Sequence, residues 1–373
     1  MTRAFRAPAL AALSCAAVLL VPGVQGCAAG PGVETRSDRI VYDADDRRDY
    51  FDVADEQVRR LLAASAVALV PKDFLDQEGC GLSKAVPTFG VQDALCPGER
   101  FADQPAAAFC SGVLVDWDLV LTAGHCTRLL ALGEFVAVMG YYAPAPGELA
   151  VAPGDISGVA EIVASRNDPV GVEPRLDYAW LRLDRRASPL REPIPVRVRP
   201  PALAVGDAIT SISAVGGTPM KVAGQAQVRD ARAQPADYFV ADTDTSHGSS
   251  GGGAFDDALS LVGVLARGGT DLTGTPDGCY TTYVSDGAAA EEHFTYAHQA
   301  VAGLCAEPTA SSLCRVDCAD PCSVLPRPPD DDGGCALAGR AGADGLAPAL
   351  ALVAGWLQAR ARRRKRASRP GVA

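Results

Sequence analysis

Phe109-Cys110-Ser111-Gly112-Val113-Leu114-Val115-Asp116-Trp117-Asp118-Leu119-Val120-Leu121-Thr122-Ala123-Gly124-His125-Cys126 reads as two short apolar runs turned at Asp116-Trp117-Asp118, with a histidine just past the second. Runs this short, bounded by turn residues, predict a β-hairpin. Cys110 and Cys126 flank it, and a bridge between them would pin the main chain of His125. Closing a loop of that size contributes about 3 kcal/mol in the chain-entropy model. A general base has to be held near its partner with little freedom, so a staple at this point has a chemical use. A structural histidine beside an ordinary disulfide is the competing reading.

Similar runs recur outward from the hairpin, including Phe135–Met139, Ala179–Leu183, Ile209–Ile212 and Leu259–Leu265. With 38 Gly and 27 Pro between them, they predict an all-β sandwich or barrel across about 67–301. Two helices are expected at the margins. Asp55 can cap one carrying Val58, Leu61 and Leu62 on one face, and Ala288–Gly303 is the second. No internal repeat is evident.

Charge narrows the range of partners. The 373 residues hold 45 acidic and 34 basic side chains, a net of −11. Two arginines lie in 1–26 and seven basic residues in 360–373, which leaves 27–359 at −20. A body that acidic argues against nucleic acid or anionic lipid as the main partner.

Two further segments carry chemistry. In Arg175-Leu176-Asp177-Tyr178-Ala179-Trp180-Leu181-Arg182-Leu183, Asp177 opens a strand and would be buried as its neighbours pack. A buried carboxylate needs a donor, and a histidine N–H is suitable. In Asp242-Thr243-Asp244-Thr245-Ser246-His247-Gly248-Ser249-Ser250-Gly251-Gly252-Gly253, glycines permit a sharp turn and close approach of a substrate. The N–H groups of Gly248 and Ser250 could then converge on one oxygen and stabilise a developing oxyanion.

Taken in order, Thr122-Ala123-Gly124-His125-Cys126, Asp177-Tyr178-Ala179-Trp180-Leu181 and Gly248-Ser249-Ser250-Gly251-Gly252 resemble the three signature blocks of trypsin/chymotrypsin-like serine peptidases. The resemblance covers roughly 67–303. It implies two packed antiparallel six-stranded β-barrels with the site in the cleft between them. It also implies Ser250 as nucleophile, His125 as general base and acid, Asp177 as the group that sets the imidazole tautomer, and Gly248 and Ser250 as the oxyanion hole. Leu265-Ala266-Arg267-Gly268 resembles the strand edge that pairs with substrate backbone.

This chain departs from the trypsin pattern in instructive ways. Trypsin has an Asp immediately before the nucleophile, where it receives the newly freed N-terminus; here the residue is Ser249, and no Ile-Val-Gly-Gly start precedes the domain. A small polar residue there, with Asp242-Thr243-Asp244-Thr245 upstream, is closer to the bacterial branch that includes glutamyl endopeptidases. Asp45-Asp46-Arg47-Arg48-Asp49, a helix and Val67-Ala68-Leu69-Val70 resemble the lead-in of exported members of that branch. Candidates for substrate binding are Asp244, six residues before Ser250, with Arg267 and Gly268; Arg267 would pair with an acidic substrate side chain or with Asp244. His247 is a candidate pocket residue, and Leu265 stands where an acid-reading member would carry histidine. No preferred substrate residue is assigned.

The termini predict export. Residues 1–29 read as a signal peptide, with Arg3 and Arg6 ahead of the apolar run Ala7–Val21. Val24-Gln25-Gly26-Cys27 resembles a lipobox that would lipidate Cys27, ordinary cleavage nearby being the alternative. The expected organisation is a lead-in or pro-segment at 30–66, the peptidase domain at 67–303 and a Cys-rich segment with a Pro/Asp linker at 304–334. The tail 335–373 resembles a myxobacterial surface-sorting tail, with Cys335, the apolar stretch Leu346–Leu357 and an arginine cluster. Secretion or surface display follows, with membrane attachment only through the termini. Twelve cysteines in an exported chain predict disulfides rather than metal thiolates, with at least one of the nine at 80–322 free or paired with Cys27 or Cys335.

The function expected is an exported serine endopeptidase acting on proteins or peptides, with no metal, no organic cofactor and no nucleic acid, and an oligomeric state left open. A catalytically silent binding or adhesion module on the same scaffold is the alternative. A thioester or lipid hydrolase is the third option, and the order of the three blocks speaks against it.

Overall fold

The computed structural model describes residues 41–314 apart from 43, 201–202, 286–289 and 309–310. The expected signal segment, the sorting tail, Cys27, Cys318, Cys322 and Cys335 lie outside the described residues.

Twelve strands form two closed barrels. The first comprises β1 (Ala66–Pro71), β2 (Cys110–Asp116), β3 (Leu119–Thr122), β4 (Phe135–Met139), β5 (Ile156–Asn167) and β6 (Asp177–Leu183). The second comprises β7 (Ala208–Ser213), β8 (Lys221–Asp230), β9 (Tyr238–Ala241), β10 (Gly253–Phe255), β11 (Leu261–Arg267) and β12 (Glu292–Tyr296). The circular order of the first is β1-β2-β3-β6-β5-β4, and the second runs β7-β8-β9-β12-β11-β10. The two halves therefore repeat one topology, all antiparallel, that no sequence repeat announces. Closure removes the unpaired strand edges that an open sheet would expose.

Strand pleat explains why the apolar runs are continuous rather than alternating. Successive side chains point to opposite faces. Val67 and Leu69 of β1 join Leu114, Val120, Phe135 and Leu181 in one core. Their neighbours Ala68 and Val70 join Trp180, Ile212 and Phe255 in another, which takes residues from both sets of strands. A third core, around Ile209, Val228, Phe239 and Phe294, draws on the second set alone. Both faces of these strands are buried, so both positions of the alternation are apolar.

Asp55 caps α1 (Glu56–Ser65) by accepting from the amides of Gln57 and Val58, and Val58, Leu61 and Leu62 are its buried face. The second expected helix needs correction. Glu292–Tyr296 is β12, and α2 begins only at Ala297 and ends at Cys305. The strand pairs with β9 on one side and β11 on the other, and those two ladders outweigh the helical pattern.

Residues 41–49 run along the second barrel. Arg48 and Asp49 pair with Val222 and Lys221 of β8. Val41 and Tyr42 lie parallel to 284 and 285. The Lys221 ammonium reaches Asp49 at 2.9 Å, with both side chains almost fully buried. Burial lowers the lysine pKa to about 8 despite that partner. Among the described residues, three disulfides join Cys96 to Cys279, Cys110 to Cys126 and Cys305 to Cys314, and Cys80 is free and exposed.

Candidate active site

The hairpin of β2 and β3 delivers His125 one residue before the Cys110–Cys126 bridge, at the start of a short helical turn over 126–129. Asp177, the first residue of β6, is buried and faces it. One carboxylate oxygen accepts the His125 main-chain N–H at 3.0 Å, and the other lies 3.0 Å from Nδ1. The carboxylate thus holds both the backbone and the ring of His125. This contact orients the imidazole so that Nε2 is the nitrogen left for exchange. The main-chain N–H of Asp177 donates to the Thr295 hydroxyl at 3.1 Å, so β12 braces the first residue of β6. The Arg267 guanidinium lies 3.8 Å from the same carboxylate and donates to the Asp168 carbonyl.

Ser250 lies in the turn between β9 and β10 and is tied to the first barrel by its main chain. Its carbonyl accepts from the Ser111 amide at 2.7 Å and lies 3.7 Å from the Cys126 sulfur, one residue beyond His125. The Ser250 hydroxyl and His125 Nε2 make no hydrogen bond with each other or with other described residues. Such contacts are often long before a substrate is bound.

The backbone around Ser250 is nearly saturated, with two exceptions. His247 N–H donates to Asp271 and Ser246 N–H to the Ser249 hydroxyl. Those of Ser249, Gly251 and Gly252 donate to the carbonyls of Ser246, Leu265 and Ser249. The N–H groups of Gly248 and Ser250 donate to no described residue. The Gly248 turn needs glycine. Its φ is +83°, and a Cβ there would lie 2.5 Å from the Ala214 carbonyl oxygen. Two amides two residues apart in one turn, neither with an acceptor among the described residues, are the kind of group that can hold an anion.

A pocket of about 170 Å³ opens beside Ser250, with Gly268, Thr245, His247 and Glu292 in its wall. Asp244 is not in that wall. It is buried, and its two oxygens accept the main-chain N–H groups of Tyr42 and Asp46 at 2.9 Å each. Burial raises its pKa to about 7, those two donors pulling the other way. Arg267 is turned toward Asp177 and Asp168 and does not pair with Asp244. His247 stands at the pocket rim between two carboxylates, with Nε2 3.1 Å from Asp93 and Nδ1 3.1 Å from Asp271. Burial opposes its charge, but the Asp271 hydrogen bond and the Asp93 charge outweigh it and hold its pKa above the usual value.

Three residues escaped the sequence reading. Ser111, Thr295 and Glu292 act across more than forty residues of chain, where local patterning carries no signal. A metal does not suit this site. The group of possible ligands here is Cys110, His125 and Cys126, and its two sulfurs are bonded to each other.

The family model of the trypsin-like peptidase domain matches residues 110–264, a stretch that begins at β2, ends within β11 and includes His125, Asp177 and Ser250. No curated protein matches the chain significantly. A peptidase domain of this type, here on two six-stranded barrels, implies protein or peptide substrates.

Proposed function

We propose that this protein is an exported serine endopeptidase. The observation that carries the reading is the pairing of an oriented His125–Asp177 couple with two unpaired amides at Gly248 and Ser250, linked through the Ser250–Cys126 contact. Ser250 Oγ attacks the scissile carbonyl carbon while His125 Nε2 takes its proton. The carbonyl oxygen becomes an oxyanion held by the N–H groups of Gly248 and Ser250. The tetrahedral intermediate expels the amine, which takes the proton back from His125, and an acyl-enzyme remains. Water then repeats the sequence with Ser250 as leaving group. Asp177 keeps its charge throughout and stabilises the imidazolium.

Ser249 supports the likeness to the glutamyl-endopeptidase branch. Its side chain is buried, and its hydroxyl accepts the Ser246 amide at 3.3 Å. A residue satisfied locally has no need of a newly freed N-terminus to order the site. The signal segment at 1–29 supports export, and the composition of 335–373 supports surface sorting.

The test is labelling by a peptidyl organophosphonate. The expected result is one adduct, on Ser250, that is absent from Ser250→Ala and from protein unfolded beforehand. Failure of the native protein to label, with no turnover of any peptide amide, would leave the silent adhesion module as the better account.

A further inference from the structure

Glu292 is the first residue of β12, and its side chain is fully buried. One carboxylate oxygen accepts the Thr245 hydroxyl at 2.8 Å and the Gly269 main-chain N–H also favours the charged form, but Oε1 has no well-formed hydrogen bond among the described residues. The residue lines the pocket that also contains Ser250. A carboxyl buried without a cation is costly, and proteins normally supply a partner. None is present. Arg267, on the neighbouring strand β11, turns to Asp168 and Asp177, and Lys221 is committed to Asp49. Burial accordingly pushes the Glu292 carboxyl well above the usual carboxylate range.

The surroundings allow one kind of ligand to complete this group. Besides Glu292, the charged wall residues are Asp271 and His247, and His247 is already held between Asp271 and Asp93. That cluster adds no free positive charge. Gly268 keeps the approach open, since a Cβ there would collide with the Glu292 carboxylate. We infer that Glu292 is the specificity-determining residue of this pocket and that it reads a cationic side chain, lysine or arginine, on the residue whose carbonyl Ser250 attacks. An ammonium or guanidinium would supply the missing donor to the unpartnered oxygen. A glutamate side chain would meet the carboxyl head-on and be rejected. Asp244 is excluded from that task because both its oxygens are occupied by the lead-in.

This inference rests on the peptidase reading, so its test separates the two. p-Aminobenzamidine, a cationic fluorescent probe, reports pocket occupancy without turnover. It is expected to bind the wild-type protein and Ser250→Ala equally, and at least tenfold more weakly to Glu292→Gln. In parallel, peptide-coumarin amides differing only at the residue before the scissile bond (Arg, Lys, Gln, Glu, Leu) are expected to show kcat/KM for Arg or Lys at least a hundredfold above Glu. Glu292→Gln should lose that ratio while still reacting with the phosphonate at Ser250. Absence of amidine binding to the wild-type protein overturns the inference, as does Glu, Gln or Leu cleavage matching Arg. The wild-type measurements decide it even if Glu292→Gln fails to fold. Amidine binding with no phosphonate adduct would sink the peptidase reading and leave the cation pocket standing.

Discussion

The Ser111 hydroxyl donates to the Gly248 carbonyl at 2.8 Å, and the same oxygen accepts the Ala214 amide at 2.9 Å. Ser111 belongs to β2 in the first barrel, and Gly248 lies two residues before Ser250 in the second. One hydroxyl therefore ties the Gly248 turn to the barrel that carries His125.

Replacing Ser111 with Ala leaves two buried polar groups unpaired. A stability loss of about 1–3 kcal/mol for each is expected in urea unfolding. The Gly248 peptide should also lose its alignment, so kcat should fall more than KM rises. Unchanged kcat in a folded Ser111→Ala protein would show that the turn is held by other contacts.

Gly248→Ala places a methyl against the Ala214 carbonyl at a φ that L-residues avoid. Displacement of the turn should remove one oxyanion donor and lower kcat by about 10²–10³. Steady-state kinetics on a peptide amide provides the measurement, with phosphonate labelling slowed in step.

The Cys110–Cys126 bridge closes a short loop around the hairpin. Its removal in a Cys110→Ala/Cys126→Ala protein should cost about 3 kcal/mol by the chain-entropy argument. Activity measured far below the melting temperature should fall as well, since the bridge adjoins His125. Full activity there would reduce the staple to a purely stabilising role.

Asp244 anchors the lead-in through the N–H groups of Tyr42 and Asp46. In Asp244→Asn one oxygen becomes an NH₂ and faces a main-chain donor, either Tyr42 or Asp46. Faster amide hydrogen exchange over 41–49 is expected, with the order of preference among peptide amides unchanged. A switch in that preference would return Asp244 to the pocket.

The His247 bridge between Asp93 and Asp271 needs a protonated imidazole to serve both carboxylates. Its folded pKa lies above the usual 6.5, so the stabilisation is complete below that value and fades as pH rises through the higher folded pKa. Hydrogen exchange over 88–93 should therefore be faster at pH 8.5 than at pH 6 after correction for intrinsic rates. In His247→Gln the two rates should coincide.

Much of the candidate site was legible because its pieces are local. His125 follows a strand, Asp177 begins one, and Gly248 to Gly252 form a turn; each is declared by its immediate neighbours. Other features were not. Glu292 sits in a stretch whose pattern suggested a helix, and only pairing with β9 and β11 makes it a strand. The duplicate barrel topology left no trace in residue identity, because many apolar sequences satisfy the same ladder.

By itself, the order of residues determined that this chain forms short strands buried on both faces. It also placed His125, Asp177 and Ser250 in three ordered blocks that resemble those of serine peptidases, and it gave residues 27–359 an acidic excess. The tertiary structure alone decided which carboxylates are spoken for. Asp244 is occupied by the lead-in about two hundred residues away, whereas Glu292 lines the pocket with one oxygen that has no well-formed hydrogen bond among the described residues. The reason is physical: whether a polar group is satisfied depends on what packs against it, and barrel closure brings together residues that the chain keeps far apart.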